Sequence, residues 1–249
     1  MNHTSGWCGP STVTNLAVFA RRAARMVKRL GRLLAGRDAL YCYDAKPAKK
    51  FLGSGYGGWM VARDPLSSDS VALSFGVGND ISFDLELIRR YGLTVHGFDP
   101  SPGVENWIAK QILPPEYIFH AYGLGMSDGS VRFFVPDENQ GMYSLSGSHK
   151  HVGNREIELP VRTLKTIAGS LGLNRIDVLK IDVEGAEYDL IPGIVDLQVP
   201  IDQLLIEFHH RAGVAPLAAT VDSVKQLKAA GFLLFHVSET SSEFSFIHR

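Results

Sequence analysis

Short runs of apolar residues alternate along this chain with segments whose apolar residues recur at helical spacing. The runs are rich in β-branched and aromatic residues, which favours strands buried in a sheet. Between the runs, positions such as Phe83, Leu85, Ile88 and Tyr91 predict amphipathic helices. This alternation predicts an α/β fold around a largely parallel sheet. The predicted strands are Val71–Phe75, Leu93–Phe98, Tyr117–Tyr122, Ile176–Ile181, Gln203–His210, Gly231–Phe235 and Phe244–Ile247.

Polar residues follow several of these strands at the point where each strand ends. Asp182 comes directly after Ile176–Ile181, and Glu207 and His209 lie near the end of Gln203–His210. Side chains alternate along a strand, so Glu207 and His209 are expected to project to the same side. The carboxyl ends of parallel strands meet at one edge, where open α/β sheets bind ligands. We therefore expect a site at this edge that contains acid and imidazole groups.

A glycine turn follows the first predicted strand. Gly76-Val-Gly-Asn-Asp80 lies between this strand and a predicted helix, and such glycines let the backbone approach a cofactor closely. Asp99 ends the second strand, 21 positions beyond Gly78, near the spacing at which an acid binds ribose hydroxyls. A nicotinamide fingerprint would place a third glycine where Ile81 stands, which disfavours a dehydrogenase.

One motif resembles a known family. The stretch Lys180-Ile-Asp-Val-Glu-Gly-Ala-Glu187, preceded by Val161-Arg-Thr-Leu164 and Ile176-Asp-Val-Leu179, is similar to the signature of the FkbM family of S-adenosylmethionine (SAM)-dependent methyltransferases. The resemblance covers about residues 70 to 248. It implies a Rossmann-like class I methyltransferase fold with a mostly parallel seven-stranded sheet in the order 3-2-1-4-5-7-6, its last strand antiparallel and helices on both faces.

The same resemblance implies a cofactor and a reaction. It indicates SAM as the methyl donor and a hydroxyl of a small acceptor, such as a sugar, glycolipid or secondary metabolite, as the recipient. Where methyltransferases usually have an acid and a third glycine, this chain has Ser74 and Asp80, and we expect Asp80 to supply charge for the amino acid end of SAM. The residues predicted to bind the cofactor are Ser74, Gly76, Val77, Gly78, Asn79, Asp80, Asp99, Pro100, Ser101, Leu124, Ser127, Asp128 and Asp182.

Three members of this set rest on the family alone. Leu124, Ser127 and Asp128 follow the third strand, in a corner that lies near the adenine in the resembled family. Asp128-Gly129 is also an ordinary turn dipeptide, so a plain turn is the competing interpretation.

Methyl transfer to a hydroxyl needs a base, because an alcohol is a weak nucleophile at neutral pH. In a doubly wound sheet, Asp182 neighbours the glycine turn and His209 neighbours Asp182. We predict His209 as the first candidate base and Glu207 as the group that orients it. Asp182 is expected to hold the acceptor or the cofactor's ammonium, and Glu184 is the alternative base. No metal is predicted, although a divalent ion could bind acceptor oxygens if Asp182, Glu184 and His209 converge.

Each of these residues also has a purely structural interpretation. The helix dipole alone stabilises acids in a first helical turn, which is where Glu184 and Glu187 are expected. His209 also fits a histidine with a structural role at a strand end. His210 is predicted to point the other way and to be structural.

We predict an N-terminal extension, residues 1–69, and a methyltransferase domain, residues 70–249, with an inserted hairpin and lid over about 129–161. The extension carries a basic amphipathic helix over 16–37. This helix fits peripheral contact with a membrane or an acidic partner. Packing on its own domain, or on a second copy in a homodimer, is the alternative.

A glycine-rich segment, Leu52–Trp59, completes the extension. It lacks the lysine of a phosphate loop, so we predict an entry segment in which Tyr56 and Trp59 cover a pocket. In the lid, His149 and His151 lack carboxylate neighbours and are predicted to bind no metal.

Composition narrows the choice of partners. The chain has 249 residues and a net charge of −1. Residues 1–37 carry seven basic residues and no acid, which leaves about −8 for the rest, a poor match to nucleic acid. Two cysteines form no disulfide framework, no apolar run is long enough to span a membrane, and no signal-peptide core is evident, so a cytoplasmic setting is expected.

The competing function is a non-catalytic SAM- or nucleotide-binding module.

Overall fold

The computed structural model describes residues 27–63, 65–136 and 152–248, except for the side chains of 134–136 and 152–155. The chain divides into two compact units, residues 1–40 with 239–241, and residues 41–238 with 242–249. The second unit carries the sheets. Its strands are β1 (Lys49–Leu52), β2 (Trp59–Ala62), β3 (Val71–Phe75), β4 (Thr94–Phe98), β5 (Tyr117–His120), β6 (Gly123–Leu124), β7 (Gly129–Pro136), β8 (Val152–Arg162), β9 (Ile176–Ile181), β10 (Ile201–Glu207), β11 (Phe232–Val237) and β12 (Glu243–His248).

The helices follow the strands in alternation. A helix over 27–34, α1, lies in the first unit. The second unit contains α2 (Ser82–Tyr91), α3 (Pro102–Ile108), α4 (Leu164–Ser170), α5 (Glu187–Val195), a short 3₁₀ helix (His209–Ala212) and α6 (Leu217–Ala229).

The central sheet has seven strands in the order β11-β12-β10-β9-β3-β4-β5. Strand β12 is antiparallel to both of its neighbours, and β10, β9, β3, β4 and β5 are mutually parallel. The predicted order 3-2-1-4-5-7-6 and the antiparallel last strand are therefore confirmed. All six residues of β9 are buried, as expected for a central strand covered on both faces.

Alternating residues of the sheet face two apolar layers. Leu73 and Leu179 belong to one buried cluster, together with residues of α4, α5 and α6. Ala72 and Val178 belong to the other, together with residues of β1, β2, α2 and α3. Because neighbouring strands are in register, both layers run across the strands, and the predicted helices on both faces are present.

The register sets the sheet edge that matters for function. Ile181 pairs with Phe75 at the ends of β9 and β3. One residue further on, the Asp182 amide donates to the Phe75 carbonyl at 3.1 Å, and the Gly76 amide donates to the Phe98 carbonyl at 2.9 Å. The carboxyl ends of β9, β3 and β4 therefore lie side by side.

The hairpin β1–β2 is attached to the same unit. The side chain of Gln203 on β10 accepts a hydrogen bond from the Ala62 amide at 2.8 Å and donates one to the Ala62 carbonyl at 3.1 Å. This pair satisfies both backbone groups of Ala62. The predicted boundary after residue 69 lies inside the unit that begins at Tyr41.

The inserted pair predicted over 129–161 is present as β7 and β8, which pair antiparallel, while the short β6 pairs with β8. Most of the lid predicted over 136–154, including His149 and His151, lies in 137–151, outside the described residues.

In the first unit, Asp38 is buried and forms ion pairs with Arg32 at 3.4 Å and Arg29 at 3.8 Å. The apolar positions Val27 and Leu34 of α1 are exposed. The first half of the predicted basic helix lies outside the described residues. None of the described helices combines the length and apolarity needed to cross a bilayer.

Candidate functional site

A cavity of about 750 Å³ opens at the carboxyl ends of β3, β4 and β9. Its size suits a cofactor or other small ligand. Its wall combines backbone turns, carboxylates and apolar side chains. The lining residues are Tyr56, Gly76, Gly78, Asn79, Asp80, Asp99, Pro100, Ser101, Gly103, Val104, Trp107, Gly123, Leu124, Phe133, Asp182, Val183 and Glu184.

The glycine turn forms one side of this cavity. Gly76 has φ 72°, and a Cβ at this position would lie 1.6 Å from the Asp182 carbonyl oxygen. Only glycine fits such a close approach in this conformation. Gly78 has φ 53°. Its amide donates to Asp99 Oδ2 at 3.1 Å, so the turn and the end of β4 are fixed to each other.

Asp99 is buried beside this turn. It accepts a second hydrogen bond from the Ser101 amide at 2.9 Å, and burial raises the pKa of its carboxyl despite these donors. The predicted ribose-binding acid therefore lies in the cavity wall with its orientation fixed.

Asp80 connects the turn to the glycine-rich segment. Its carboxylate accepts hydrogen bonds from the Ser54 hydroxyl at 2.6 Å and the Ser82 amide at 2.9 Å. Burial opposes ionisation, but these hydrogen bonds dominate and lower the pKa of Asp80, so it is charged at neutral pH. Tyr56 lines the cavity, as predicted, whereas Trp59 is buried within β2. Burial raises the pKa of Tyr56, and the charge of Asp182 adds to this effect.

A buried lysine joins the two central strand ends. Lys180 Nζ donates to the Gly76 carbonyl at 2.8 Å and the Phe75 carbonyl at 3.2 Å. It also lies 3.6 Å from Asp182 Oδ2. Lysine is seldom buried without partners, and here the ammonium fixes the turn and Asp182 together. The sequence indicated this residue only as part of the family motif.

The other side of the cavity carries acid and imidazole groups. Asp182 and Glu184 line the cavity, and His209 lies behind them, 8% exposed. His209 Nε2 is 3.3 Å from Glu184 Oε2 and 3.9 Å from Asp182 Oδ1. Glu184 has φ 50°, a left-handed conformation that a non-glycine residue adopts at a cost, and such strain is concentrated at functional sites.

Glu187 orients the imidazole. This carboxylate is fully buried and accepts hydrogen bonds from the His209 amide at 2.7 Å and the Gly185 amide at 2.8 Å. Its Oε1 also lies 3.2 Å from His209 Nδ1. Glu187, and not the predicted Glu207, therefore lies at Nδ1 of His209. The only signal for Glu187 was its position in the motif, which also fitted a helix-dipole interaction.

The strand itself ends earlier than predicted. Strand β10 stops at Glu207, and His209 begins the 3₁₀ helix. The predicted strand over Gln203–His210 is thus too long, and strand alternation does not explain why Glu207 and His209 meet. Their ligand atoms nevertheless lie close together, within one group that includes Asp182. His210 points elsewhere, as predicted, with Nδ1 3.0 Å from the Thr220 hydroxyl.

The electrostatics of this side are dominated by crowded carboxylates. Burial raises the pKa of Glu184 to about 7 and that of Glu207 to about 9, with the charge of Asp182 contributing to both. Burial would lower the pKa of His209, but the hydrogen bond and charge of Glu187, with the charges of Glu184 and Glu207, raise it to about 10. The imidazole is therefore protonated at neutral pH in this arrangement.

The structure separates four predicted cofactor residues from the cavity wall. Ser74 is buried in β3 and Val77 belongs to the apolar core, so neither lines the cavity. Ser127 is exposed outside it. Asp128 instead holds the start of α4, where it accepts hydrogen bonds from the Thr163 amide and the Thr166 hydroxyl, both at 2.7 Å. Of this corner, only Leu124 lies in the cavity wall.

The other predicted cofactor residues share the cavity wall, and several lining residues were not predicted. Gly76, Gly78, Asn79, Asp80, Asp99, Pro100, Ser101, Leu124 and Asp182 all contribute to the wall. The unpredicted apolar members are Val104 and Trp107 of α3, Phe133 of β7 and Val183 after β9. No motif marks the first three, because apolar residues on a helix or hairpin look the same in sequence whether they face a core or a ligand.

Comparisons with known proteins identify the family of the chain. The family profile described as "Methyltransferase FkbM domain" matches residues 48–234. "Methyltransferase 1" of Beauveria bassiana is 26% identical over 190 residues, covering 68% of this chain and 74% of that protein. The human "Probable methyltransferase-like protein 24" is 25% identical over 174 residues, covering 66% of this chain but only 41% of that protein.

A likeness to solved structures is weaker. The fibrillarin pre-rRNA processing protein of Methanococcus jannaschii has a TM-score of 0.45 and 12% identity, covering 80% of this chain and 82% of that chain.

Proposed function

The chain belongs to the FkbM methyltransferase family, and from this premise we propose that it is a SAM-dependent O-methyltransferase acting on a hydroxyl of a small acceptor. The observation that carries the proposal is the shared cavity. Its wall holds the glycine turn and Asp99 on one side and Asp182 and Glu184 on the other. A donor and an acceptor can therefore meet in one space.

The glycine side fits SAM. A Cβ at Gly76 would collide with backbone, so the turn lets a ligand approach closely. Asp99 would bind the ribose hydroxyls, and charged Asp80 would bind the ammonium of the amino acid end. Val104, Trp107 and Leu124 supply apolar surface for the adenine ring. When bound, SAM supplies an electrophilic methyl group.

The acid side fits proton removal from the acceptor. Glu184 lines the cavity, whereas His209 lies behind it, so Glu184 fits the role of base better than the first candidate His209. His209 Nε2, 3.3 Å from Glu184 Oε2, then acts as a positioning group for that carboxylate. A positioned base of this kind contributes about a hundredfold to ten-thousandfold in rate.

The experiment is transfer of a labelled methyl group from SAM to a panel of hydroxylated acceptors, with Glu184→Gln compared against the control Glu86→Gln, on α2 and outside the cavity wall. We expect kcat to fall about a hundredfold or more in Glu184→Gln, with S-adenosylhomocysteine (SAH) affinity retained, since only proton removal is lost. Equal transfer by both variants would exclude Glu184 as the base. SAH binding without transfer to any acceptor by the wild type would favour the non-catalytic module.

A further inference from the structure

Three side chains on the acid side form a compact group of potential metal ligands. Asp182 follows β9, Glu207 ends β10, and His209 begins the 3₁₀ helix. One ligand atom from each lies within 4.8 Å of the other two. Small side-chain rotations would bring such atoms to the bond lengths of about 2.0–2.2 Å found in metal sites. No metal-ligand spacing marks these residues in the sequence, because they come from separate elements.

The orientation of His209 is a second, independent observation. Glu187 lies at Nδ1, at 3.2 Å, and two backbone amides fix its carboxylate. With the Nδ1 proton donated to Glu187, Nε2 faces Asp182 and Glu184, and a bound metal ion would replace the Nε2 proton of the imidazolium. A histidine that binds a metal typically donates its other N–H to a carboxylate in this way. The outer contact of a metal site is therefore already present.

A buried carboxylate oxygen supports a cation. The carboxyl groups of Asp182, Glu184 and Glu187 lie within 3.9 Å of a ring nitrogen of His209, and Glu207 belongs to the same group of possible ligands. Asp182 Oδ1 is buried and has no hydrogen-bond partner among the described residues. Buried charges need a counter-charge or a metal, and this oxygen is placed to bind one.

We propose that Asp182, Glu207 and His209 bind a divalent cation of the Mn²⁺ to Zn²⁺ class, with open coordination positions toward the cavity. One imidazole and two carboxylates are a donor set that such ions accept. Asp182 lines the cavity, so the ion would hold the acceptor oxygen beside Glu184. This role in the reaction rests on the proposed function, whereas ion binding does not.

The test is calorimetric titration of the metal-stripped protein with Mn²⁺, with bound Mn²⁺ confirmed by electron paramagnetic resonance. We expect one site in the wild type and at least a tenfold weaker affinity in Asp182→Asn and Glu207→Gln. Glu187→Gln should weaken binding about ten- to hundredfold through His209. Asp222→Asn, on the exposed face of α6, is the matched control and should bind as the wild type does.

Circular dichroism of each variant confirms that it is folded. Asp182 is partly exposed, so Asp182→Asn carries the test if Glu207→Gln fails to fold. Equal Mn²⁺ affinity in Asp182→Asn and the wild type would overturn the site, as would the absence of Mn²⁺ and Zn²⁺ binding by folded wild type.

Methyl transfer with and without a chelator separates the two proposals. Loss of transfer on chelation, with SAH binding retained, supports the acceptor role of the ion. Full activity after complete metal removal would overturn that role and leave the methyltransferase proposal intact.

Discussion

The two sides of the cavity are built on opposite principles. The glycine side is backbone, and its carboxylates are matched with donors: Asp99 accepts from two amides and Asp80 from Ser54 and Ser82. The acid side is made of side chains: the carboxyl groups of Asp182, Glu184 and Glu187 are crowded around His209, and a buried oxygen of Asp182 has no described hydrogen-bond partner. The hydrogen bonds of the glycine side are thus satisfied without a ligand. The carboxyl groups of the acid side, in contrast, need protons or a cation to balance their charge.

The largest expected effect tests the backbone character of the glycine side. Gly76→Ala forces a Cβ onto the Asp182 carbonyl at a φ of 72°, and we expect a loss of about 4 kcal/mol or more in the free energy of unfolding. Denaturant unfolding measures it.

The matched control is Gly193→Ala in α5, where nothing lies within 4 Å of the added Cβ. Alanine favours a helix, so this variant should gain about 0.5–1 kcal/mol. Equal midpoints for the two variants would show that the strand ends do not hold the turn rigidly.

The next effect concerns ligand binding on the glycine side. Asp99→Asn removes the charge that would accept the ribose hydroxyls, and we expect SAH affinity to fall about ten- to hundredfold. Asp128→Asn, outside the cavity at the start of α4, should leave SAH affinity unchanged. The SAH-dependent shift in melting temperature measures both. A larger loss of SAH affinity in Asp128→Asn than in Asp99→Asn would show that Asp128 belongs to the cofactor site, as the family resemblance implied.

The smallest expected effect tests whether a buried carboxyl group behind the glycine side lowers the stability of the fold. Asp84 on α2 is buried, its Oδ1 has no hydrogen-bond partner among the described residues, and burial raises its pKa to about 6 against the opposing charge of Lys180. A carboxyl whose folded pKa is raised costs stability once it ionises. That cost grows as pH rises from about 4 to about 6 and is then constant.

We therefore expect Asp84→Asn to increase the free energy of unfolding by about 1–3 kcal/mol at pH 7.5, and by less at pH 5. Denaturant unfolding at the two pH values measures the difference, with exposed Asp222→Asn as the control. A destabilised Asp84→Asn at pH 7.5 would mean that this carboxylate is needed to balance Lys180.

The sequence predicted the two sides unequally. Gly76, Gly78 and Asp99 could be predicted locally, because the glycine turn and the acid lie in consecutive elements at a recognisable spacing. The structure places all three in the cavity wall. The strand order was predicted from the family resemblance carried by the motif Lys180–Glu187, and the structure confirms it.

The acid side depends on distant contacts that spacing does not encode. Glu187 and His209 are 22 positions apart and meet only because β9 and β10 are neighbours. The end of β10 at Glu207 also depends on how the chain turns into the 3₁₀ helix. Asp128 lies at the start of α4, outside the cavity wall, and the sequence does not separate the two roles because a cap and a ligand contact use the same residue type.

Calorimetric titration with SAH tests the central claim most directly, using the wild type, Asp99→Asn and Glu184→Gln in parallel. The two-sided cavity predicts one SAH site in the wild type, nearly unchanged affinity in Glu184→Gln and clearly weaker binding in Asp99→Asn. The two-sided cavity would be contradicted if the wild type did not bind SAH but bound a nicotinamide dinucleotide, or if all three proteins bound SAH with equal affinity.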